Sequence, residues 1–413
     1  MRRWVVTVVL SLFMAANFAD KAAFGLAAVP IMREMHLSST TFGLLGSSFF
    51  LLFALSAVAV GRLGDRVSTT WLLPAMAIVW SAAQLPLLAP VGLAAFFGCR
   101  ILLGAGEGPA LPVALHAAYA RFPDAQRPLV TAVVEAGVPL GSALAALAVT
   151  RMIATSGWHV AFAVLGIVSL VWACAWPLCA RWSPEPRIER AARAADVPVR
   201  VLIGNRTLLG VMAAGFCGYW VSALAVVWLP SYLQVSAGLT EIAVGTVLTV
   251  AWLVQIPLFL AVGWFSGYLT GRGASSNVAR AGLATAGLAV GGAAMLGLGW
   301  ATSAPVSIVL TALCLSSTVV VVTLLPPIVA EVAPDAQRST GLGVCLAVAS
   351  LGGVLGPLTF GRLIDAAGGG TGGYRAAFLA SGALVVVVTL VAQALMRPRE
   401  DAERIRQLTA SAP

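Results

Sequence analysis

The chain has 413 residues, 60% of them hydrophobic and only 10% charged, with a mean hydropathy of +0.94. So few charges cannot coat a water-soluble globule of this length, so lipid must solvate most of the surface. The net charge of +9 does not imply a nucleic-acid partner, because the basic residues cluster beyond the ends of apolar runs, where they set topology.

Apolar runs of about 20 residues occur twelve times, at 4–30, 41–62, 70–90, 92–119, 128–150, 158–180, 208–232, 242–262, 278–299, 304–330, 339–363 and 375–396. Strands of a membrane barrel would be shorter and would alternate with polar residues, so these runs are expected to be helices. Met1-Arg2-Arg3 ahead of the first run is similar to the start of a signal peptide, but the run is too long and carries charge, so it is expected to be a retained span. If the amino terminus is cytoplasmic, only Arg33, Arg151, Arg362 and Arg375 of the twenty-five basic residues fall outside the cell. Lys21 and Arg100 lie within spans, and the remaining nineteen are cytoplasmic. The positive-inside rule then puts both termini in the cytoplasm.

Between runs six and seven the composition turns polar and rich in Arg, Pro and Ala. This predicts an amino-terminal six-helix half at 1–180, a cytoplasmic linker at 181–207, a second half at 208–396 and a cytoplasmic tail at 397–413. Pro123-Asp124-Ala125-Gln126-Arg127 after run four recurs as Pro334-Asp335-Ala336-Gln337-Arg338 after run ten, which suggests duplication. The glycine-rich segment Gly368–Gly373 is expected to be a flexible outer loop between spans 11 and 12.

The first run contains two adjacent charges, Asp20 and Lys21, the latter being the only lysine in the chain. Charges in a span are costly and mark functional sites by default. Neighbours on a helix point roughly 100° apart, so each of the two needs a partner on another helix or in water. Run four supplies candidates in Arg100 and Glu107, whose spacing of about two turns puts them on one face about 10 Å apart, with Gly104 and Gly108 leaving room there for a helix or a ligand. Run five adds Glu135. If all five ionise, the set carries a formal charge of −1, and an entering anion would make it −2. A low-dielectric cavity resists such charge, so anion entry should recruit a proton. Proton–anion symport is the expectation, with Asp20, Glu107 and Glu135 as coupling groups; a purely structural ion-pair lock is the alternative.

His36, His116 and His159 are scattered, and the six cysteines all fall in spans without ligand spacing, so neither a metal site nor a cofactor is expected. No serine stands in a nucleophile elbow and no phosphate loop occurs, so an enzyme or an ATP-driven pump is not expected.

Twelve spans in two halves, Gly61-Arg62-Leu63-Gly64-Asp65-Arg66 between spans 2 and 3, and the stretch Arg100–Gly106 together resemble the major facilitator superfamily over essentially the whole chain. Within it, Asn17-Phe18-Ala19-Asp20-Lys21, Arg100 with Glu107-Gly108-Pro109, and Trp228-Leu229-Pro230-Ser231-Tyr232-Leu233 resemble the anion:cation symporter family. That resemblance implies transport of an organic anion with protons or sodium, through a cluster of Asp20, Lys21, Arg100 and Glu107. Most relatives have arginine where this chain has Lys21, a point charge without a bidentate fork. The loop motif implies a conformational switch at Gly61, Asp65 and Arg66, although Ser68, Thr69 and Thr70 depart from it and its second-half copy has Gly267 for the aspartate; a plain cytoplasmic turn is the alternative.

Other departures bear on the substrate. Phe53 stands where relatives tend to have tyrosine, Ala57 where they have glutamine, Ala223 for an aromatic hydroxyl, and Leu346 and Ser350 for asparagines. Lys21, Arg100, Phe53 and Ser350 are therefore expected to bind a carboxylate with an apolar or aromatic body rather than a sugar acid. The expected protein is a monomeric proton-coupled importer in the cytoplasmic membrane of a bacterium, working by rocking of two halves about a mid-membrane site. Its rivals are an exporter of amphiphiles or lysolipids, as in spinster-type proteins that share the first-span pair and the fourth-span glutamate, and a non-transporting membrane receptor.

Overall fold

A computed structural model of the chain describes residues 2–64, 67–122, 127–181, 204–334 and 338–410. Among them twelve helical segments are long and apolar enough to cross a membrane, and the protein is an all-α membrane protein with twelve transmembrane helices. Asp65 and Arg66, residues 123–126 and 335–337 of the duplicated pentapeptides, and most of the 181–207 segment lie outside the described residues. Large apolar side chains stand on the outside, among them Leu55, Leu260 and Trp264 at 66–69% exposure, which is where lipid replaces water as solvent.

Several spans are broken helices. Span 1 is α1 (Arg2–Leu26), with the short α2 (Ala28–Glu34) following it outside the span, span 2 is α3 (Ser39–Leu51) followed by α4 (Phe53–Gly64), and span 3 is α5 (Thr69–Gln84) ending in a 3₁₀ turn, Leu85–Leu88. Span 4 is α6 (Leu93–Glu107) and α7 (Ala110–Tyr119), divided at Pro109, whose missing N–H removes one helical bond. Span 5 is α8 (Arg127–Glu135) and α9 (Gly137–Ser156), and span 6 is α10 (Trp158–Ala180). Span 7, α11 (Arg206–Val227), gives way to α12 (Leu229–Val235), where Pro230 has the same effect. The later spans are α13 (Glu241–Gly271), a π-helical turn Asn277–Gly282 leading into α14 (Leu283–Trp300), α15 (Ala304–Val332), α16 (Arg338–Ala366) and α17 (Gly370–Leu395); α18 (Pro398–Ala410) follows the last span. The glycine-rich loop is shorter than expected: positive φ is confined to Gly368, Gly369 and Gly370, and α17 already begins at Gly370.

The chain forms two compact units, Met1–Arg190 with Val226–Leu253, and Ala191–Ala225 with Val254–Pro413. In the first, Phe13 of α1 lies 4.5 Å from the rings of both Trp80 (α5) and Trp172 (α10). The Trp172 indole donates to the Val9 carbonyl at 2.9 Å and that of Trp176 to the Thr69 carbonyl at 3.2 Å. Indoles that fill the core while discharging their N–H on helix carbonyls thus tie spans 1, 3 and 6 together. In the second unit, span 9 packs on spans 10 and 12. There Asp401 of α18 is 2% exposed and accepts from the Thr207 backbone N–H at 3.1 Å, from its hydroxyl at 2.5 Å and from Arg206 Nε at 3.2 Å. Together with Asn205, whose Oδ1 accepts from the Thr207 N–H at 2.9 Å and the Leu208 N–H at 3.3 Å, it caps the amino end of α11.

Candidate functional site

The structure brings four predicted charged residues together, with the predicted Phe53 beside them. Asp20 and Lys21 come from α1, and Arg100 and Glu107 from α6; each lies within electrostatic reach of the other three. Asp20 and Glu107 are 1% exposed and Arg100 3%. Lys21 Nζ stands 3.0 Å from Glu107 Oε2, and its hydrogen bond goes to Asn17 Oδ1, one turn earlier on α1, at 2.5 Å. The acidic and basic members of the first-span pair do not neutralise each other; the basic one crosses to span 4.

Aromatic rings hold the rest of the positive charge. The Lys21 ammonium lies 4.2 Å from the centroid of Phe18, 5.5 Å from Phe53 and 5.7 Å from Phe49. The Arg100 guanidinium lies 4.1 Å over Phe24 and 4.9 Å from Phe49. Cation–π contact of this kind gains strength when desolvated, and it leaves the N–H groups free for another acceptor. Arg100 Nε and one terminal nitrogen, and both Asp20 oxygens, are buried without a hydrogen-bond partner among the described residues. Buried polar groups of this kind are rare enough to require an explanation.

Two glycines set the spacing. A Cβ on Gly104 would come within 1.7 Å of the Phe49 carbonyl oxygen, and one on Gly108 within 2.1 Å of that of Phe53. The small face of span 4 therefore accommodates another helix, span 2, rather than a ligand, and this close approach presses Phe49 and Phe53 against the cations.

Glu135 stands apart. It ends α8 at the break in span 5, is half-buried, and is not an electrostatic neighbour of any of the four. Ser350, in the second unit, is 2% exposed and donates to the Ala347 carbonyl of its own helix at 2.7 Å. Gly61 lies in α4, while Asp65 and Arg66 lie outside the described residues. No group of His, Cys, Asp and Glu suited to a metal occurs among the described residues.

The sequence reading missed the uncharged members. Asn17 had been quoted only as part of a motif, and Gln84 at the end of α5, 1% exposed, places its carboxamide beside the Asp20 carboxyl. The aromatic alternation around Asp20 and Lys21 (Phe18, Phe24) was the available signal. Also missed was a link at the other end of these helices. Glu34 accepts from Trp158 Nε1 at 2.7 Å and pairs with His159 Nε2 at 2.8 Å, while His159 Nδ1 faces the Leu87 carbonyl at 2.6 Å. The bond from His159 holds the Glu34 carboxyl below the usual carboxylate range. A recess of about 310 Å³ opens beside this pair, remote from the four-charge cluster.

The sequence pattern of the Major Facilitator Superfamily matches residues 10–323. The hexuronate transporter of Bacillus subtilis is 26% identical over 402 residues, 95% of this chain and 94% of that protein. The probable sulfoacetate transporter SauU of Cupriavidus necator is 27% identical over 418 residues, 94% and 92% of the two, and the probable galactarate/D-glucarate transporter GarP of Escherichia coli is 24% identical over 310 residues, 67% and 70%. Among solved structures, a bacterial homologue of the human lysosomal transporter Spinster, inward-facing and unoccupied, superposes with a TM-score of 0.80 at 18% identity, over 97% of this chain and 98% of that one; the likeness is one of fold. With twelve spans and relatives that carry anions, the chain belongs to the major facilitator superfamily.

Proposed function

We propose that the protein is a proton-coupled symporter that imports a small organic anion, a carboxylate with an apolar or aromatic body. The observation that carries this reading is the Asp20–Lys21–Arg100–Glu107 cluster, in which two buried cations are backed by phenylalanines and donors of Arg100 have no acceptor among the described residues. The cluster of two cations and two carboxylates is formally neutral. A bound monoanion takes it to −1, and one proton on Asp20 or Glu107 restores neutrality. One proton per monoanion is the expected stoichiometry, without need of Glu135. Phe18, Phe49 and Phe53 favour an apolar body beside the charge, since a ring gains about 25 cal/mol for each Å² of apolar area removed from water.

The positive-inside distribution supports cytoplasmic termini and a bacterial inner membrane, with the monomer as the working unit and the six-helix halves 1–180 and 208–396 as the moving parts. Sugar acids are the second reading, favoured by relatives named for hexuronate and for galactarate or D-glucarate. The test is uptake by proteoliposomes enclosing a pH dye, supplied in turn with benzoate, isobutyrate, sulfoacetate, glucuronate and glucarate. Benzoate-driven acidification of the lumen, abolished by a protonophore, is expected. Accumulation insensitive to the pH gradient would overturn proton coupling, and acidification with glucuronate alone would establish the second reading.

A further inference from the structure

The cluster as derived so far is made by spans 1 and 4, yet its most isolated member faces span 3. Among the described residues, Asp20 is 1% exposed with both oxygens lacking a made hydrogen bond, and Gln84 is 1% exposed with both its carboxamide oxygen and nitrogen lacking one. The two side chains stand within hydrogen-bonding reach of each other, short of the geometry of a made bond. Trp80, fully buried one turn before Gln84 and stacked on Phe13, fixes the rotation of α5 so that this carboxamide stays on the side of α1. Two adjacent buried groups, each without a partner, are costly as they stand and become inexpensive once they bond each other.

We infer that Gln84 is the positioning residue that bonds Asp20 in both of its protonation states, which makes span 3 the third wall of the proton site. The inference rests on the reading of Asp20 as a proton carrier. A carboxamide offers an acceptor oxygen and two N–H donors. When Asp20 is protonated, its O–H donates to Gln84 Oε1; when it is ionised, a half-turn of the carboxamide presents Nε2, which donates to the carboxylate. Gln84 neither gains nor loses a proton, so the carrier remains Asp20. The charged groups that face Asp20 are Lys21 on its own helix and Arg100 and Glu107 on α6; among the described residues no titratable side chain of α9 or α10 joins them. Gln84 is therefore the neutral group able to follow the change of state without itself adding charge.

Infrared difference spectroscopy of the purified, ligand-free protein during pH titration provides the test. The protonated Asp20 carboxyl is identified as the C=O band that Asp20→Asn removes. In Gln84→Met, which keeps the length of the side chain and deletes its polar atoms, that band should move to higher wavenumber as its hydrogen bond is lost, and pH-gradient-driven uptake of benzoate into proteoliposomes should fall at least tenfold. Gln84→Asn, which keeps the carboxamide but withdraws it, should shift the band in the same direction by less, and serves if the methionine variant does not fold. An Asp20 band at the same position in all three proteins overturns the role of Gln84 while leaving Asp20 as the proton site. Absence of any band sensitive to Asp20→Asn overturns both.

Discussion

Replacing Lys21 by alanine is the most direct test of how the cluster works. The ammonium sits 3.0 Å from a Glu107 carboxylate whose side chain has no solvent exposure, donates to Asn17 at 2.5 Å and covers the Phe18 ring at 4.2 Å. Deleting one partner of such a buried pair costs about 3–5 kcal/mol while the other remains ionised. The protein escapes that cost by protonating Glu107, and the proton is then held whether or not an anion is bound. An incoming carboxylate also loses one charge-assisted bond, worth about 1.5–3 kcal/mol, so its affinity should fall roughly 10- to 150-fold. Two measurements on the purified protein in detergent check this: binding of benzoate and glucuronate by calorimetry at pH 7, and thermal stability against pH. The alanine variant should melt below wild type at neutral pH, and the gap should close in acid, where Glu107 is protonated in both proteins. Lys21→Arg should recover part of the affinity. Alanine-variant binding within threefold of wild type, for an anion that wild type binds, would refute the assignment of Lys21 to the anion.

If Glu107 is a coupling group, Glu107→Gln should preserve exchange of substrate between equally loaded compartments and abolish accumulation driven by a pH gradient; full accumulation would refute the assignment. Gly104→Ala places a methyl 1.7 Å from the Phe49 carbonyl oxygen, so spans 2 and 4 must part by more than an ångström, with overpacking of this kind costing about 1–3 kcal/mol. A lowered melting temperature and lost anion binding are expected, while Gly98→Ala, with nothing within 4 Å of the added carbon, should be silent in both. Glu34 has its carboxyl lowered by the bond to His159. Its contribution to stability is therefore present above the ordinary glutamate value of 4.5 and fades as pH falls through the lowered one. Glu34→Gln should thus melt below wild type at pH 6, with the difference shrinking below roughly pH 4.5 in a stability scan; a constant difference down to pH 3 would contradict this.

The twelve spans were legible because hydropathy sums over about 20 residues and tolerates errors at individual positions. The breaks at Pro109 and Pro230 do not show in such a sum, and the 31-residue α13 runs past its apolar window because Gly263, Ser266, Gly267 and Gly271 lower the hydropathy sum without interrupting the helical bonding. Charge made four site residues conspicuous: in an apolar run Asp20, Lys21, Arg100 and Glu107 have no ordinary reason to be present. The same signal singled out Glu135, and a single sequence holds no information on which charges of different helices share a centre. Asn17 and Gln84 escaped notice because an amide costs far less to bury than an ion, and Phe24 and Phe49 because phenylalanine is unexceptional in a membrane span. The link from Glu34 to His159 joins residues 125 apart, beyond anything periodicity can report.

The bond from Asp401 to the start of α11 joins residues 194 apart, and it constrains the order in which the protein is made. Asn205 caps the first N–H groups of span 7 locally, but the carboxylate that takes Arg206 and the Thr207 hydroxyl is made only after five further spans. The second unit therefore closes from its carboxyl end, after the last membrane segment has been inserted, and until then Arg206 and the Thr207 hydroxyl depend on water for their partners. A chain released after span 12 but before residue 400 would carry every transmembrane segment and still present quality control with an Arg206 lacking both of its carboxylates.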